Sequence, residues 1–236
     1  MSKISITKKT AWSLILNINT NTKYKTKRNI IEISEQFQKT TFQIRYNRRK
    51  NYIEDTNINL KKDIEDLFHI FLPIVCFQGK FQYIAHIAQS LDGFIATESG
   101  ESKYISGKEN LEHIHRLRAV SDIIIVGAKT YLEDKPKLTT RLVKGNNPLI
   151  YVFDPKRILR KKDIMGDIVC LRDNLDELKK TLHDKDKQTI YIEGGGRTIS
   201  YFMNKNILNK IHICLCPIIL GGGRPSFVPC LLYTSD

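Results

Sequence analysis

The fold is indicated most clearly by the segment Thr189-Ile-Tyr-Ile-Glu193-Gly-Gly-Gly-Arg197-Thr198. A β-branched apolar run passes here into three consecutive glycines and then into the start of a helix. Glycine lets the backbone approach a ligand closely, and the free amide groups of a helix N-terminus favour an anion such as a phosphate. A glycine-rich turn without a ligand explains this segment equally well by itself. The segment is not the GxGxxG fingerprint and lies late in the chain, so it does not indicate a Rossmann dinucleotide site.

Short apolar runs alternate with amphipathic stretches on both sides of this segment, from Phe81 onward. The runs are rich in β-branched residues and several are apolar throughout, which is typical of strands buried on both faces of a sheet. The predicted strands are 83–88, 123–126, 149–153, 168–171, 189–192 and 211–215, and the predicted helices are 109–118, 175–183 and 198–204. This alternation predicts an α/β domain with a mostly parallel, twisted sheet flanked by helices.

A second glycine cluster, Leu220-Gly-Gly-Gly223-Arg224, also follows an apolar run. Two such clusters favour a nucleotide cleft more than either cluster would alone. Polar residues follow the strand at 123–126, first at 127–130 and then at 134–141. Because α/β sheets bind ligands at the carboxyl ends of their strands, these loops are candidate binding segments.

Composition excludes several classes of protein. The chain has 236 residues, of which 41% are apolar and 27% are charged, enough for a packed core. No stretch approaches the roughly 18 to 20 continuous apolar residues of a membrane-spanning helix, and no signal peptide is recognisable. The five cysteines include no CxxC pair, which favours reduced thiols and a cytoplasmic location. No set of histidines and cysteines has the spacing of a zinc site, so we expect no metal.

The texture of the sequence changes between Pro73 and Gly79, which predicts a basic N-terminal extension over 1–78 and the α/β domain over 79–236. Within the extension, helices are predicted around 10–16 and 60–70, and a loop is predicted over 17–29. Residues 1–80 carry 15 of the 38 Lys and Arg residues and 7 of the 25 Asp and Glu residues, with the densest basic cluster at 45–50. A basic N-terminal segment is typical of proteins that bind nucleic acid, but no helix-turn-helix, zinc-finger or aromatic-stacking signature accompanies this one. We therefore treat the extension as a solvated basic segment and keep nucleic-acid binding as a minor hypothesis.

Seven short motifs of the α/β domain stand in an order and spacing that together are specific. They are Gln89-Ser-Leu-Asp-Gly-Phe-Ile-Ala96, Ser99-Gly-Glu-Ser102, His115-Arg-Leu-Arg-Ala119, Val126-Gly-Ala-Lys-Thr130, Asp134-Lys-Pro-Lys-Leu-Thr-Thr-Arg141, Glu193-Gly-Gly-Gly196 and Pro217-Ile-Ile-Leu-Gly-Gly-Gly223. Through them, residues 81 to about 229 resemble the reductase domain of riboflavin-biosynthesis proteins, a member of the dihydrofolate-reductase-like family. The residues around Trp12 are weakly similar to the extension of stand-alone members.

The resemblance implies an activity, a cofactor and a set of site residues. The family reduces the ring-opened ribose of 5-amino-6-(5-phosphoribosylamino)uracil to a ribityl chain with NADPH. Matching positions assign the phosphorylated pyrimidine to Ser102, Arg118, Leu138, Arg141 and Glu193. They assign NADPH to Ala88, Tyr104, Thr130, Asp134, Gly195, Gly196, Arg197 and Thr198. No side chain is assigned as an obligatory general acid, since a water molecule could supply the proton. The family is often dimeric, so a homodimer is an expectation.

Several departures from the family pattern bear on these expectations. Phe94 stands where the biosynthetic enzymes usually have a cation, which favours as an alternative a reductase of the same fold with another pterin-like or unknown substrate. Tyr104 replaces a usual Trp but keeps an aromatic face. The family continues for another strand pair after the second glycine cluster, so the domain is expected to be incomplete at its C-terminus. Residues 1–80 contain neither the HxE nor the PCxxC motif of zinc deaminases, so a separate deaminase is expected to act in the same pathway. The remaining alternative is a non-catalytic basic module that binds nucleic acid or protein.

Overall fold

The structure is a computed structural model of the chain that describes residues 3–20, 25–37, 39–102, 107–164, 168–172, 178 and 188–228. The chain divides into two compact units, Met1–Gln78 and Gly79–Asp236. No helix within the described ranges is both long and apolar enough to cross a membrane.

The N-terminal unit is an antiparallel sheet with a helix before it and a helix after it in the chain. Its strands pair in the order β1-β2-β3-β4. The elements are α1 (Lys8–Thr20), β1 (Lys25–Lys27), β2 (Ile30–Phe37), β3 (Thr40–Asn47), β4 (Tyr52–Thr56) and α2 (Lys62–Val75). The predicted helices around 10–16 and 60–70 are confirmed as α1 and α2.

The prediction of a loop over 17–29 is wrong for its described ends, because α1 continues to Thr20 and β1 occupies Lys25–Lys27. Strands β2 to β4 were also missed. Their buried side chains alternate with polar ones, as in the run of Phe42, Ile44 and Tyr46. This period of two is typical of a half-buried strand, but Asn, Thr and Lys dominate the composition around it.

Two cations of the basic cluster at 45–50 have partners within this unit, whereas Arg49 and Lys50 are exposed. The Arg45 side chain pairs with Glu54 at 3.3 Å, and the Arg48 guanidinium donates to the Arg28 carbonyl at 3.3 Å. Tyr46, the aromatic residue of the cluster, is buried, and its hydroxyl donates to Asn51 Oδ1 at 2.9 Å. The ring is therefore not available to stack on a base.

The second unit contains a parallel sheet of six strands, in the order β11-β5-β10-β7-β8-β9. Its elements are β5 (Phe81–Ser90), β6 (Phe94–Ala96), α3 (Lys108–Val120), β7 (Ile123–Gly127), α4 (Ala128–Asp134), β8 (Leu149–Phe153), a short 3₁₀ turn (Lys161–Asp163), β9 (Val169–Leu171), β10 (Gln188–Glu193), α5 (Gly196–Asn204), β11 (Lys210–Cys216) and β12 (Arg224–Pro225). All six predicted strands are confirmed, as are two helices, now α3 and α5. The predicted helix 175–183 lies outside the described residues except for Leu178, which is helical and buried.

The central strands are buried on both faces, which explains their continuous apolar sequence. Ile190 and Ile192 of β10 face a core that also contains Ile199 and Phe202 of α5. Tyr191, between them in the strand, points to the opposite face, as alternation in a strand requires. Helix α3 covers that opposite face, where its Asn110 contacts His86 of β5.

Three histidines pack between α3 and the sheet. The His86 Nε2–H donates to Asn110 Oδ1 at 2.8 Å, and His113 Nε2 lies 3.0 Å from His212 Nδ1. The His113 ring packs against the other two, with centroids 5.4 Å from His86 and 5.0 Å from His212. Burial lowers the pKa of His86 and of His212 to about 4, with Lys210 adding to the effect on His212. Burial, the two other rings and Arg116 lower the pKa of His113 to about 3.

This cluster makes the second unit sensitive to acid. An unfolded histidine has a pKa near 6.5. The unfolded chain therefore binds more protons than the folded one, and stability falls as the pH falls from about 6.5 toward 4. We expect a loss of roughly 1.4 kcal/mol per pH unit for each histidine that stays neutral. Thermal unfolding followed at a series of pH values between 7 and 4 measures the slope.

His113→Leu is the matched variant, because it removes the central titrating ring and keeps an apolar filling. We expect a shallower pH dependence for this variant than for the wild-type chain. Equal slopes for the two proteins would contradict the assignment of acid sensitivity to the cluster.

Candidate active site

The candidate site lies at the carboxyl ends of neighbouring strands. Strand β10 pairs with β5 on one side and β7 on the other, all parallel, so the segments after them emerge at the same edge of the sheet. Strand β7 ends at Gly127 and passes directly into α4, while β10 ends at Glu193 and passes through Gly194 and Gly195 into α5. The edge predicted to bind ligands is therefore built from the motifs singled out in the sequence.

A buried ion pair joins α3 to the end of β10. Arg118 is 6% exposed, and its Nε donates to Glu193 Oε2 at 2.7 Å while its Nη2 donates to Oε1. Its Nη1 donates to the carbonyl of Thr139 at 2.9 Å. Burial disfavours the charge on Arg118, but the hydrogen bond and the negative charge of Glu193 outweigh burial and raise its pKa. The two residues assigned separately to substrate thus bind one another, and their contacts with substrate stay a prediction.

The segment 138–147 forms a folded loop beside this pair. Leu138 is buried and has a left-handed backbone with φ of 51°. The Thr140 backbone N–H donates to Asn147 Oδ1 at 2.8 Å, and its hydroxyl donates to the Asn146 carbonyl at 3.0 Å. Arg141 is exposed, and its Nη1 donates to Thr139 Oγ1 at 3.2 Å. The loop therefore fixes the backbone and presents one guanidinium group to solvent.

Gly145 lets this loop lie directly against α3. Its φ is 150°, and a Cβ built there would lie 2.4 Å from the Cβ of Ala119, closer than two such atoms approach. The absent side chain is thus a requirement of the packing.

Two threonine hydroxyls converge on the glycine turn. A Cβ at Gly195 would lie 3.2 Å from Thr130 Oγ1 and 3.5 Å from Thr198 Oγ1, and a Cβ at Gly127 would collide with Thr198 Oγ1 at 2.4 Å. Gly194 has a φ of 79° and open space where its Cβ would be. The hydroxyls and glycines therefore lie together at the N-terminus of α5, and we call them the cradle; such an arrangement favours an anion.

Gly196 has a different reason to be glycine. A Cβ there would lie 2.6 Å from the Pro225 carbonyl oxygen and 2.4 Å from the Ser226 carbonyl oxygen. The last residue of β12 and the residue after it therefore pack against Gly196.

The other residues assigned to NADPH or to substrate lie on separate elements of the unit. Ala88 is half-buried near the end of β5, Asp134 is exposed at the end of α4, and Arg197 is exposed on α5. Burial and the charge of Glu133 raise the pKa of Asp134. Ser102 is exposed, and Tyr104 lies outside the described residues. Of the eight residues assigned to NADPH, the structure brings Thr130, Gly195 and Thr198 together.

One residue of the first motif, Asp92, received no role from the sequence. Asp92 accepts hydrogen bonds from the backbone N–H groups of Leu220 at 3.1 Å and Gly221 at 2.7 Å. A bond to Ser90, together with these two, lowers the pKa of Asp92. Asp92 therefore anchors the second glycine cluster, a contact across 129 positions that neither motif indicates by itself.

Known proteins share both the sequence and the fold of the second unit. Residues 82–231 match the family model of the RibD C-terminal domain. The chain belongs to the RibD C-terminal domain family. The family predicted from the seven motifs is thereby confirmed.

The chain is similar to a 2,5-diamino-6-ribosylamino-4(3H)-pyrimidinone 5′-phosphate reductase from Methanothermobacter thermautotrophicus. It is 32% identical over 172 residues, which cover 59% of this chain and 79% of the relative. The riboflavin biosynthesis protein RibD of Mycobacterium tuberculosis is 32% identical over 147 residues, but the match spans only 42% of that protein.

Solved structures show the same fold. RibD from Acinetobacter baumannii superposes with a TM-score of 0.57 at 22% identity, covering 76% of this chain and 59% of that one. A Thermotoga maritima protein described as a diaminohydroxyphosphoribosylaminopyrimidine deaminase/5-amino-6-(5-phosphoribosylamino)uracil reductase superposes with a TM-score of 0.54 at 23% identity, covering 72% and 55%. The predicted α/β class with a parallel sheet is confirmed.

The ion pair predicts a strong coupling between Arg118 and Glu193. Arg118→Met removes three hydrogen bonds and leaves the half-buried Glu193 carboxylate without its counter-charge, so it is expected to lower the free energy of unfolding by about 3 kcal/mol. Glu193→Gln keeps an oxygen acceptor and is expected to cost less. The double variant is expected to lose less free energy of unfolding than the two single variants lose together. Denaturant unfolding of the four proteins measures the coupling, and additive losses would contradict it.

The packing of Gly145 predicts that Gly145→Ala destabilises the domain by more than about 1 kcal/mol, because the new methyl group meets Ala119. Gly222→Ala is the control, since Gly222 lies outside the helices and strands and a Cβ there would have Glu98 Oε1, at 4.0 Å, as its nearest neighbour among the described residues. Denaturant midpoints measured side by side should separate the two variants. Equal midpoints would contradict the docking of the loop on α3.

Proposed function

We propose that this protein is an oxidoreductase that uses NADPH to reduce the ring-opened ribose of a ribosylaminopyrimidine 5′-phosphate to a ribityl chain in riboflavin biosynthesis. The observation that carries the proposal is the juxtaposition, at one edge of a parallel sheet, of a glycine and threonine cradle with an exposed arginine on a rigid loop. Membership of the RibD C-terminal domain family supports a reductase reaction at this edge of the sheet.

The cradle supports the cofactor assignment. The Thr130 and Thr198 hydroxyls and the turn at Gly195 offer hydrogen bonds to phosphate oxygens, and the N-terminus of α5 adds favourable electrostatics. NADPH, when bound, supplies the hydride. The task of the chain is to place the nicotinamide and substrate against one another and to exclude water.

Arg141 supports the assignment of a phosphorylated substrate. Its guanidinium is exposed at the same edge, and a planar fork of N–H donors matches two phosphate oxygens. Arg118 already directs three N–H groups to Glu193 and Thr139. We therefore assign to Arg118 the task of orienting the Glu193 carboxylate, which accepts hydrogen bonds from the pyrimidine edge.

Two pyrimidines are candidate substrates. The first is 5-amino-6-(5-phosphoribosylamino)uracil, named in the description of the Thermotoga maritima protein. The second is its precursor with an additional amino group, named for the relatives from Methanothermobacter thermautotrophicus and Archaeoglobus fulgidus, which the match covers to 79% and 80% of their length. That coverage favours testing the diamino compound alongside the uracil. A separate deaminase in the same pathway remains a prediction, which rests on the lack of the HxE and PCxxC motifs in residues 1–80.

Two further expectations accompany the proposal. A cytoplasmic location agrees with the four described cysteines, all of which are free thiols. A homodimer remains a prediction from the family, and sedimentation of the full chain would test it.

The proposal predicts turnover of NADPH by the full chain with at least one of the two pyrimidines, followed by the loss of absorbance of the reduced nicotinamide. NADH in place of NADPH tests the cofactor preference. Consumption of neither cofactor with either pyrimidine, by a folded protein, would contradict the function.

Arg141→Ala is expected to raise the KM for the active pyrimidine at least tenfold with a smaller effect on kcat, because it removes a charged contact to the phosphate. Lys137→Ala is the matched control, an exposed cation on the same segment that has no assigned contact with substrate. An unchanged KM for Arg141→Ala, or an equal effect of both variants, would contradict the phosphate assignment.

A further inference from the structure

His115 contacts the loop that carries the proposed phosphate ligand. It lies on α3, the residue is 3% exposed, and its Nδ1 lies 3.0 Å from the backbone nitrogen of Arg141. A backbone N–H can only donate, so Nδ1 is the acceptor and its proton is absent. The contact therefore exists only while the imidazole is neutral.

The surroundings keep this imidazole neutral. Burial is the largest effect on the pKa of His115, and the guanidinium groups of Arg118 and Arg141 add to it, lowering the pKa to about 4. Arg118 lies one turn further along α3, and its guanidinium pairs with Glu193 through two hydrogen bonds. At neutral pH the acceptor at Nδ1 is thus available to the loop.

His115 is one of three residues on one face of α3 that hold the loop. Positions 115, 118 and 119 have the spacing i, i+3 and i+4, which places them side by side on a helix. His115 accepts from the Arg141 backbone, Arg118 donates to the Thr139 carbonyl, and Ala119 packs against Gly145. The sequence offers this spacing, but it gives no indication of which segment the helix face would contact.

We propose that His115 is a positioning residue for phosphate recognition, which holds the Arg141 backbone so that the exposed guanidinium of Arg141 is presented to the substrate phosphate. The inference rests on the proposed function, of which it specifies one part. Phosphate binding orders both the Arg141 side chain and the loop backbone, and each ordering costs conformational entropy. Because His115 already fixes the backbone, the loop loses less entropy when the phosphate binds. His115 acts through Arg141 and has no contact of its own with substrate.

Binding of ribose 5-phosphate to the full chain, measured by calorimetry, tests this role without requiring turnover. His115→Leu removes the acceptor at similar volume and is expected to weaken binding about tenfold. His115→Asn retains an acceptor oxygen near the position of Nδ1 and is expected to stay within about threefold of the wild-type affinity. The affinity for NADPH, bound at the other side of the site, is expected to be unchanged in both variants.

A double variant separates a positioning role from a merely structural one. If His115 acts through Arg141, then His115→Leu adds little further loss to Arg141→Ala, so the two effects are far from additive. Additive losses, or wild-type affinity in His115→Leu, would overturn the proposal. Ribose 5-phosphate binding that is insensitive to Arg141→Ala would overturn it as well.

Two further readouts keep the test decisive. If His115→Leu does not fold, His115→Phe keeps a ring without the acceptor and is subject to the same expectations. Turnover of the two pyrimidines is measured separately. A wild-type chain that binds ribose 5-phosphate with the expected pattern of variants but reduces neither pyrimidine would contradict the proposed function and leave the positioning role supported.

Discussion

The bidentate pair between Arg118 and Glu193 is the interaction on which the geometry of the site depends. It fixes three things together: the last turn of α3, the end of β10 and, through the Thr139 carbonyl, the loop 138–147 that carries Arg141. Because Glu193 immediately precedes Gly194, the pair also determines where the glycine turn begins. A buried ion pair is a costly way to stabilise a fold, since both charges lose their hydration. Its presence at the carboxyl edge of the sheet is better explained by the geometric precision that it gives to the neighbouring segments.

From this pair the site divides into two sides. On one side the turn at Gly195 and the hydroxyls of Thr130 and Thr198 line the junction of β7, α4 and α5. On the other side α3 holds the loop 138–147, which precedes β8 and carries the exposed Arg141. The parallel sheet is what makes such a division possible, because it brings the ends of β7 and β10 to one edge although the strands are far apart in the chain. The cofactor and the substrate phosphate would then approach the edge from the two sides and meet above β10.

The strands and helices of the second unit could be predicted because their cause is local. A strand buried on both faces must be apolar along its length, and β-branched residues such as those of β7 report this directly. Strands β2 to β4 of the N-terminal unit were missed because alternating burial is a weaker signal in a segment rich in Asn, Thr and Lys. The family could be predicted from the seven motifs, but the contacts between motifs could not. Arg118 and Glu193 are 75 positions apart, and Asp92 and Gly221 are 129 apart. Nothing in either local sequence states which partner it will meet.

The central claim is that this edge of the sheet places a reduced nicotinamide against C1′ of the ring-opened ribose. Tracing the hydride tests that claim most directly, by incubating the full chain with the pyrimidine phosphate and NADPH that carries deuterium at the transferred position of nicotinamide C4. Mass spectrometry and NMR of the product are predicted to find one deuterium, bonded to C1′ of the ribityl chain. A product that carries no deuterium, or deuterium at any other carbon, would contradict the account.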